Sequence, residues 1–337
     1  MKKGKASLFF ENDVFIEHGA SVVGSKEGDG PLGHLFDVIE SDAMVGEDSW
    51  EKAESMIQSK AVEKLMEKSG VTEEEIRYIL GGDLLGQLIA TTFGVKKYNI
   101  PLIGLYGACS TMGEGLGVGG VLISSGCADK VIALASSHFA SAEKTFRFPL
   151  EYANQRPYSA TWTVTGCGAV LLTNKKSEKT IAKIKGITTG KVVDFGLKDS
   201  QNMGACMAPA AADTICRHFE DFDTSPKDYD KIITGDLGVI GQKILIDLLK
   251  DKGYDISSKH MDCGIEIFDA NKQDTHAGGS GCGCSATVLT SLIFRQLKNG
   301  QWKKILFIPT GALMSPVSFN EGLSVPGIAH LVSIEAV

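Results

Sequence analysis

Cys109 is the residue of this chain whose type and surroundings best suit covalent chemistry. It lies in Gly107-Ala108-Cys109-Ser110, between an apolar run at 101–106 that is predicted to be a strand and a Gly- and Ala-rich run that is predicted to be a helix. A thiol at a helix N-terminus faces the positive end of the helix dipole, which lowers its pKa and favours attack on thioesters. A free cysteine is also commonly a buried small apolar side chain, so the turn predicts either a nucleophile or a packing residue.

Two aspartates, Asp83 and Asp236, end apolar segments that are predicted to be buried strands, and each lies in a Gly-Asp-Leu sequence. Ligands of open α/β sheets bind at the carboxyl ends of strands, so both carboxylates are expected to face a site there. They could bind a cation, accept hydrogen bonds from a ligand, or cap the helix that follows. The sequence leaves these three roles open.

The Gly-Asp-Leu sequences belong to an internal repeat. They lie 153 positions apart, and each is preceded by a capping box, Thr72 with Glu75 in the first half and Ser225 with Asp228 in the second. Each half then follows the order helix, strand, buried small-residue helix and strand. Strands that alternate with helices predict crossover connections and a mostly parallel sheet.

This organisation resembles the thiolase superfamily, in which two duplicated halves pack face to face and two small-residue helices lie buried between their sheets. The resemblance implies an α/β, thiolase-like fold with two βαβ-type halves, 1–176 and 177–337, in five layers, α-β-α-β-α. Small side chains allow a helix to be buried on all sides, which suits the segments that follow Cys109 and Cys284. Gly-Ala-Cys-Ser also resembles the nucleophile turn of the initiating ketoacyl-carrier-protein synthases.

The residues that would assist a nucleophile differ from those families. Initiating synthases carry a His and an Asn at places that Asp236 and Ser280 occupy here. Decarboxylative condensation needs neutral donors that stabilise the developing enolate and oxyanion, so we expect this chemistry to be lost. Degradative thiolases use another His, one position away from His276, and His138 after the strand at 130–135 is a further candidate. Either histidine could instead be a hydrogen-bonded structural residue.

A long insert at 139–161 carries side chains that suit a flat carboxylate ligand. Arg147 and Arg156 could clamp carboxylates in bidentate pairs, and nearby aromatic residues could stack on a planar ring. Loops of this length in compact domains are usually functional. In the thiolase family this region shapes both the pocket and the dimer interface, so the resemblance implies one or both roles.

The composition argues against several classes of function. The formal net charge is −7, which disfavours nucleic acid as a partner. The eight cysteines are scattered without paired CxxC motifs, so we expect no zinc site, no disulfide framework and no cofactor. No apolar run approaches the roughly 18 residues of a membrane span. Glu11 and Asp13 interrupt the N-terminal segment before a secretion signal can form.

Several stretches together resemble the stage V sporulation protein AD family. They lie at 29–37, 107–111, 136–138, 207–214, 234–237 and 277–282. The resemblance covers the whole chain and implies a soluble subunit of the complex that moves dipicolinic acid, with calcium, into the developing spore and out at germination. It implies binding of this pyridine dicarboxylate rather than turnover of an acyl group. It also implies a homodimer, peripheral at the spore inner membrane, with membrane-embedded subunits as partners.

The sequence therefore predicts a ligand pocket built from residues of both halves. Its expected members are Asp83, Cys109, His138, Arg147, Arg156, Asp236 and Ser280. No metal-ligand set is predicted, and calcium is considered only as a companion of the ligand. Two alternatives remain open: an acyltransferase or ketoacyl-synthase-like enzyme that uses Cys109 on acyl thioesters, and a scaffold whose pocket is vestigial.

Overall fold

The main sheet is built on five strands from each half of the described chain, and two short strands, Lys2–Lys3 and Val38–Glu40, pair with its first long strand. The structure, a computed structural model, describes residues 1–147, 149–152 and 155–337, and only the backbone of residue 152. The first half supplies β1 (Ser7–Gly24), β2 (Tyr78–Gly82), β3 (Leu102–Gly104), β4 (Lys130–Ser137) and β5 (Gly166–Thr173). The second half supplies β6 (Ala182–Thr188), β7 (Lys231–Thr234), β8 (His260–Asp262), β9 (Lys304–Ile308) and β10 (Leu331–Ala336).

The strand order is the same in both halves. It is β3-β2-β4-β5-β1 in the first half and β8-β7-β9-β10-β6 in the second, and β1 pairs with β6 where the halves meet. This repetition confirms the duplicated plan that was predicted from the sequence. The division at 176/177 falls in the connection between β5 and β6 and remains a prediction.

The sheet is mixed, which corrects the expectation of a mostly parallel one. β2 pairs in parallel with β3 and β4, and β7 does the same with β8 and β9. The last strand of each half, β5 or β10, runs antiparallel to both of its neighbours. β5 is buried on both faces, so it lacks the apolar–polar alternation that distinguishes a typical antiparallel strand, whereas β10 shows this alternation over Val332-Ser333-Ile334-Glu335.

Seven helices complete the layers in the described residues. They are α1 (Trp50–Ser69), α2 (Ile89–Val95), α3 (Thr111–Ser124), α4 (Phe139–Glu143), α5 (Met203–Phe222), α6 (Gly238–Lys250) and α7, which runs from Cys282–Val288 through a π-helical turn, Leu289–Ile293, into Phe294–Lys298. Short helices at Ser25–Gly28, Cys263–Ile267, Ala270–Gln273 and Pro316–Asn320 lie outside this framework.

Three hydrophobic clusters separate the layers. One packs α1 against the first-half strands, and a second packs α5 and α6 against the second-half strands. The third and largest lies between the two sheet halves and contains side chains of both α3 and α7. Helices therefore cover both outer faces and fill the centre, which confirms the α-β-α-β-α arrangement.

Local sequence signals place the strands that lead to the site. Both predicted capping boxes are present, Thr72 with Glu75 and Ser225 with Asp228, and each closes a 3-10 turn directly before β2 or β7. The boxes fix where the chain leaves the outer helix and enters the sheet. As a result Asp83 and Asp236 come at equivalent strand ends.

The glycines of α3 allow it to lie at the centre of the molecule. A Cβ atom at Gly120 would come within 2.5 Å of the Phe10 ring, and one at Gly113 within 2.8 Å of the His330 carbonyl oxygen. Larger residues at these positions would push the helix away from β1 and from the second half. The close approach fixes the start of α3, where Cys109 lies.

Candidate functional site

Cys109 lies in a tight turn between β3 and α3. Ala108 has φ 48°, in the left-handed region that non-glycine residues rarely adopt. The turn is held by Ser110 Oγ, which donates to the Gly107 carbonyl at 2.6 Å, and by Thr111 Oγ1, which donates to the Ala108 carbonyl at 2.7 Å. The strained turn points Cys109 towards the second half, where its side chain is buried.

The thiol of Cys109 is held in its neutral form. Burial raises its pKa well above the ordinary value, and the nearby carboxyl of Asp236 raises it further. This direction is opposite to the one that a helix N-terminus alone would give. Desolvation and a neighbouring negative charge both oppose a thiolate, so the turn has the geometry of a nucleophile without its activation.

Asp236 lies directly against Cys109. Its carboxyl hydrogen-bonds with the thiol, accepts from the Gly281 N–H at 2.9 Å and accepts from Thr310 Oγ1 at 2.7 Å. Burial raises the pKa of Asp236 to about 7. The two halves therefore meet at a Cys–Asp contact.

Two further cysteines at the start of α7 adjoin this contact, and the sequence analysis gave them no role. Cys282 Sγ lies 2.9 Å from the Ala108 carbonyl oxygen, and Cys284 Sγ lies 3.5 Å from that of Gly235. Their spacing in the sequence places both thiols beside the Cys109–Asp236 contact. Ser280, in the short strand Gly279–Ser280, is buried, and its carbonyl accepts from the Val164 N–H at 2.8 Å.

Asp83, the repeat equivalent of Asp236, is turned towards its own half. Its Oδ1 accepts from the Leu85 N–H at 2.8 Å, and its Oδ2 accepts from the Thr91 N–H at 2.8 Å and the Thr91 hydroxyl at 2.6 Å. Of the three roles that the sequence left open, the structure shows the capping one. Burial raises the pKa of this carboxyl.

Glu54 of α1 is a second buried carboxyl in this region, and the sequence analysis did not identify it. Its two oxygens accept hydrogen bonds from Ser136 Oγ and Ser141 Oγ, each at 2.7 Å. Burial, followed by the negative charge of Asp83, raises its pKa to about 8. At neutral pH this carboxyl is therefore mostly protonated.

An open cavity of about 810 Å³ lies beside these carboxyls. Its lining includes Leu84 and Leu85, which follow Asp83, and Ser141, which donates to Glu54. Tyr106 lies between the cavity and the Cys109 turn: its ring lines the cavity, and the thiol of Cys109 is one of the groups that, after burial, raise its pKa to about 12.

Polar groups line the rest of this cavity. Lys144 forms an ion pair with Glu51, and both side chains line the wall. The remaining polar residues there are Gln87, Thr145, Ser315 and Ser318. The cavity thus combines one aromatic face, one lysine and several hydroxyls with an apolar floor.

His138 does not lie in this cavity, which corrects the expectation that it would face Cys109. Its Nδ1 accepts from the Ala140 N–H at 3.2 Å, so it caps α4, and its Nε2 lies 2.9 Å from the Ala43 carbonyl oxygen. Burial lowers its pKa. With both ring nitrogens engaged by the backbone, His138 is a structural residue.

The two arginines of the insert are also engaged elsewhere. Arg147 pairs with Glu143 and hydrogen-bonds with Gln201. Arg156 pairs with Asp274, and its guanidinium carbon lies 4.7 Å from the Trp162 ring centroid. Neither side chain lines the cavity, so the bidentate clamp on a ligand remains a prediction.

His276, like the two arginines, contacts other residues of the protein and does not line the cavity. Its Nδ1 lies 2.9 Å from the Pro157 carbonyl oxygen, and its Nε2 lies 3.0 Å from Asp274 Oδ1. The contact ties the insert to the loop that carries Gly281. His276 therefore fastens the two loops together and has no thiol partner.

The described residues contain neither a metal-ligand cluster nor a membrane-spanning helix. No group of three or more His, Cys, Asp or Glu side chains there has the arrangement of a metal site. In the same part of the chain, none of the helices combines the length and the apolar character that crossing a membrane would require.

Comparison with known proteins agrees with this geometry. The fold resembles that of OleA from Xanthomonas campestris with bound cerulenin, with a TM-score of 0.61 at 13% identity, covering 97% of this chain and 100% of that one. It also resembles 3-oxoacyl-(acyl-carrier-protein) synthase III from Aquifex aeolicus VF5, with a TM-score of 0.55 at 13% identity, covering 96% and 99% of the two chains. These likenesses confirm the thiolase-like fold.

Matches at higher sequence identity point to a sporulation protein family. The profile of the family "Stage V sporulation protein AD (SpoVAD)" matches residues 4–335. The stage V sporulation protein AD of Bacillus subtilis (strain 168) is 42% identical over 332 residues, which covers 98% of this chain and 97% of that protein. The chain belongs to the stage V sporulation protein AD family.

Proposed function

We propose that this protein is a non-catalytic, thiolase-fold subunit that binds dipicolinic acid in the cavity beside Tyr106 and Lys144, for uptake during sporulation and release during germination. The Cys109–Asp236 contact is the observation that supports a non-catalytic role. An acidic neighbour and burial both raise the pKa of the thiol, whereas a condensing enzyme needs it lowered.

The cavity suits a flat, polar aromatic acid. Its volume of about 810 Å³ lies within the range of small-molecule sites, about 300–1,000 Å³. The Tyr106 ring offers a face for a pyridine ring, and Lys144 offers a positive charge for a carboxylate. The surrounding hydroxyls can donate hydrogen bonds to the remaining carboxylate oxygens.

Two buried carboxyls near the cavity are compatible with an anion because burial favours their protonated forms, and the Glu51 carboxylate in the cavity wall is paired with Lys144. The pKa of Glu54 is raised to about 8 and that of Asp236 to about 7. Protonated carboxyls do not repel a dianion. Calcium that enters as the chelate of the ligand would offset the negative charge of the ligand itself.

The proposed setting is the spore inner membrane, as a peripheral homodimer beside membrane-embedded subunits of the same transport complex. Family membership supports the sporulation role. The strand β3 supports a dimer, because it pairs with β2 on one side only and its Leu102 is exposed. Light scattering of the purified chain tests the dimer, and a strictly monomeric mass would remove it.

Calorimetric titration with dipicolinic acid, with and without calcium, tests the binding function. We expect saturable binding, and at least tenfold weaker binding for Lys144→Gln, because the variant loses the cavity cation and frees the Glu51 carboxylate. Lys60→Gln is the matched control, since Lys60 pairs with Glu40 outside the cavity. No heat in either condition, or equal effects of both variants, would contradict the proposal.

The alternative function, acyl transfer by Cys109, is favoured by the strained turn and by the fold. It predicts a covalent acyl adduct on Cys109 after incubation with an acyl-CoA. We expect the mass of the intact protein to remain unchanged, because the thiol is neutral and lacks a basic partner. An adduct that maps to Cys109 would replace binding by catalysis as the function.

A further inference from the structure

We infer that Glu54 and Asp83 form a proton-holding pair behind the cavity, and that an anionic ligand binds there together with one proton. The inference deepens the proposed function and rests on it, because it assigns a proton to the ligand-bound state of the same cavity. Its basis is the way in which the two carboxyls are buried, connected and left without a cation.

A continuous chain of hydrogen bonds joins the two carboxyls. Ser136 Oγ donates to Glu54 at 2.7 Å and accepts from Gln58 Nε2 at 2.7 Å. The same Gln58 nitrogen donates to Thr91 Oγ1 at 3.0 Å, and the Thr91 hydroxyl donates to Asp83 at 2.6 Å. All five side chains are buried, so a charge change at one carboxyl is felt by the other with little solvent screening.

Each carboxyl is also connected to the cavity wall. Ser141 lines the cavity and donates its hydroxyl to Glu54 at 2.7 Å. Leu85 lines the cavity, and its N–H donates to Asp83 at 2.8 Å. A ligand in the cavity is therefore separated from either carboxyl by a single residue.

No cation neutralises the pair. Among the described residues, neither carboxyl has a Lys, Arg or His nitrogen within ion-pair distance. The titratable and charged groups that face the pair from the surrounding elements are Glu51 of α1, His138 and Lys144 at the two ends of α4, Tyr106 before α3, Cys167 of β5 and Cys282 of α7. The one lysine in this set pairs with Glu51.

A dianion in the cavity must then favour the protonated pair. It adds negative charge next to two carboxyls that already repel each other in a dry environment, which raises their affinity for protons. Above about pH 8, where the free pair has lost its proton, the balanced event is the uptake of one dianion from solution and one proton from solvent into the same site. Above the pKa of the pair, the affinity should fall about tenfold for each unit of pH, as one linked proton requires.

The experiment is a titration with dipicolinic acid in chelator, without calcium, at pH 7, 8 and 9 and in two buffers of different ionisation enthalpy. Because the pKa of Glu54 is raised to about 8, the affinity of the wild-type protein should fall about fivefold from pH 8 to pH 9, and binding should take up protons from the buffer. Glu54→Gln keeps the shape of the side chain and imitates its protonated form. This variant should bind with nearly the same affinity at all three values.

The matched control is Glu266→Gln. Glu266 is a half-buried carboxyl of the second half whose pKa burial also raises, and it has no contact with the pair. This variant should keep the wild-type pH dependence. Circular dichroism at each pH establishes that the variants are folded.

The outcomes separate the two proposals. No binding at any pH sinks the proposed function and the proton linkage with it. Binding whose affinity and buffer-proton exchange do not change between pH 7 and 9 leaves the function standing and overturns the proton-holding pair. An unchanged pH dependence in Glu54→Gln also overturns it, because the linked proton would then reside elsewhere.

Discussion

Asp83 and Asp236 occupy equivalent places in a duplicated fold, yet they have become different parts of the protein. Asp83 turns inward to its own half, where it caps the segment before α2 and joins the hydrogen-bond chain to Glu54. Asp236 reaches across to the thiol of Cys109 and to the Gly281 N–H. The repeat fixes where a strand ends, whereas the partner that each carboxyl meets depends on which half packs against it.

The largest expected difference between Asp83 and Asp236 is in how much each contributes to the stability of the fold. In Asp83→Asn the amide group must face either the Leu85 N–H or the donors of Thr91, so a buried donor loses its acceptor at a cost of about 1–3 kcal/mol. In Asp236→Asn the Thr310 hydroxyl can rotate and accept from the new amide, so the cost should stay below about 1 kcal/mol. Urea unfolding of both variants measures these costs. Equal losses in the free energy of unfolding would contradict the predicted difference between Asp83 and Asp236.

The pH dependence of stability gives a second test, at Glu54, which is linked to Asp83 by hydrogen bonds. Glu54 has its pKa raised to about 8 by burial, so the folded protein binds more protons than the unfolded chain between about pH 4.5 and 8. Stability should therefore fall as pH rises through this window. Glu54→Gln should flatten the fall and be more stable than wild type at pH 8 by on the order of a few kcal/mol. Identical pH profiles would contradict the burial of an unpaired carboxyl.

A smaller effect is expected on the reactivity of Cys109. Asp236→Asn removes the negative charge beside the thiol and so lowers its pKa, while burial still opposes ionisation. At pH 8.5 we expect alkylation of Cys109 by iodoacetamide to accelerate about tenfold, the effect of a shift of one pKa unit. Peptide mass mapping separates this site from the exposed Cys127. An unchanged rate would show that Asp236 does not control the thiol.

The smallest effect is expected at His138. Replacing it with Ala removes the cap on the Ala140 N–H and should cost about 1 kcal/mol, as a lost helix cap does. Binding of dipicolinic acid should not change, because His138 lies outside the cavity. A tenfold loss of affinity in a folded His138→Ala protein would show that His138 contributes to ligand binding.

The parts of the fold that were predictable depend on local sequence. Capping boxes, small-residue helices and the order of elements lie within a few residues of one another, so the duplicated plan was readable. The prediction of a mostly parallel sheet was wrong because β5 is buried on both faces and shows no alternation, and because the alternation of β10 covers only a few residues. Periodicity alone does not separate such strands from parallel ones.

Some contacts of the site were predictable and others were not, because many of them join residues that lie far apart in the sequence. The approach of Asp236 to Cys109 follows from the repeat, since both lie at strand ends that face the centre. Glu54 was missed because its partners, Ser136 and Ser141, come 82 and 87 residues later. Arg147 was assigned to the ligand although Glu143, four residues earlier, offered a local helical partner.

A crystal structure of the protein soaked with dipicolinic acid tests the central claim most directly. The account predicts the pyridine ring against Tyr106, one carboxylate at Lys144, and the Cys109 thiol unmodified in its contact with Asp236. Ligand density in another part of the molecule, or a covalent bond to Cys109, would contradict it.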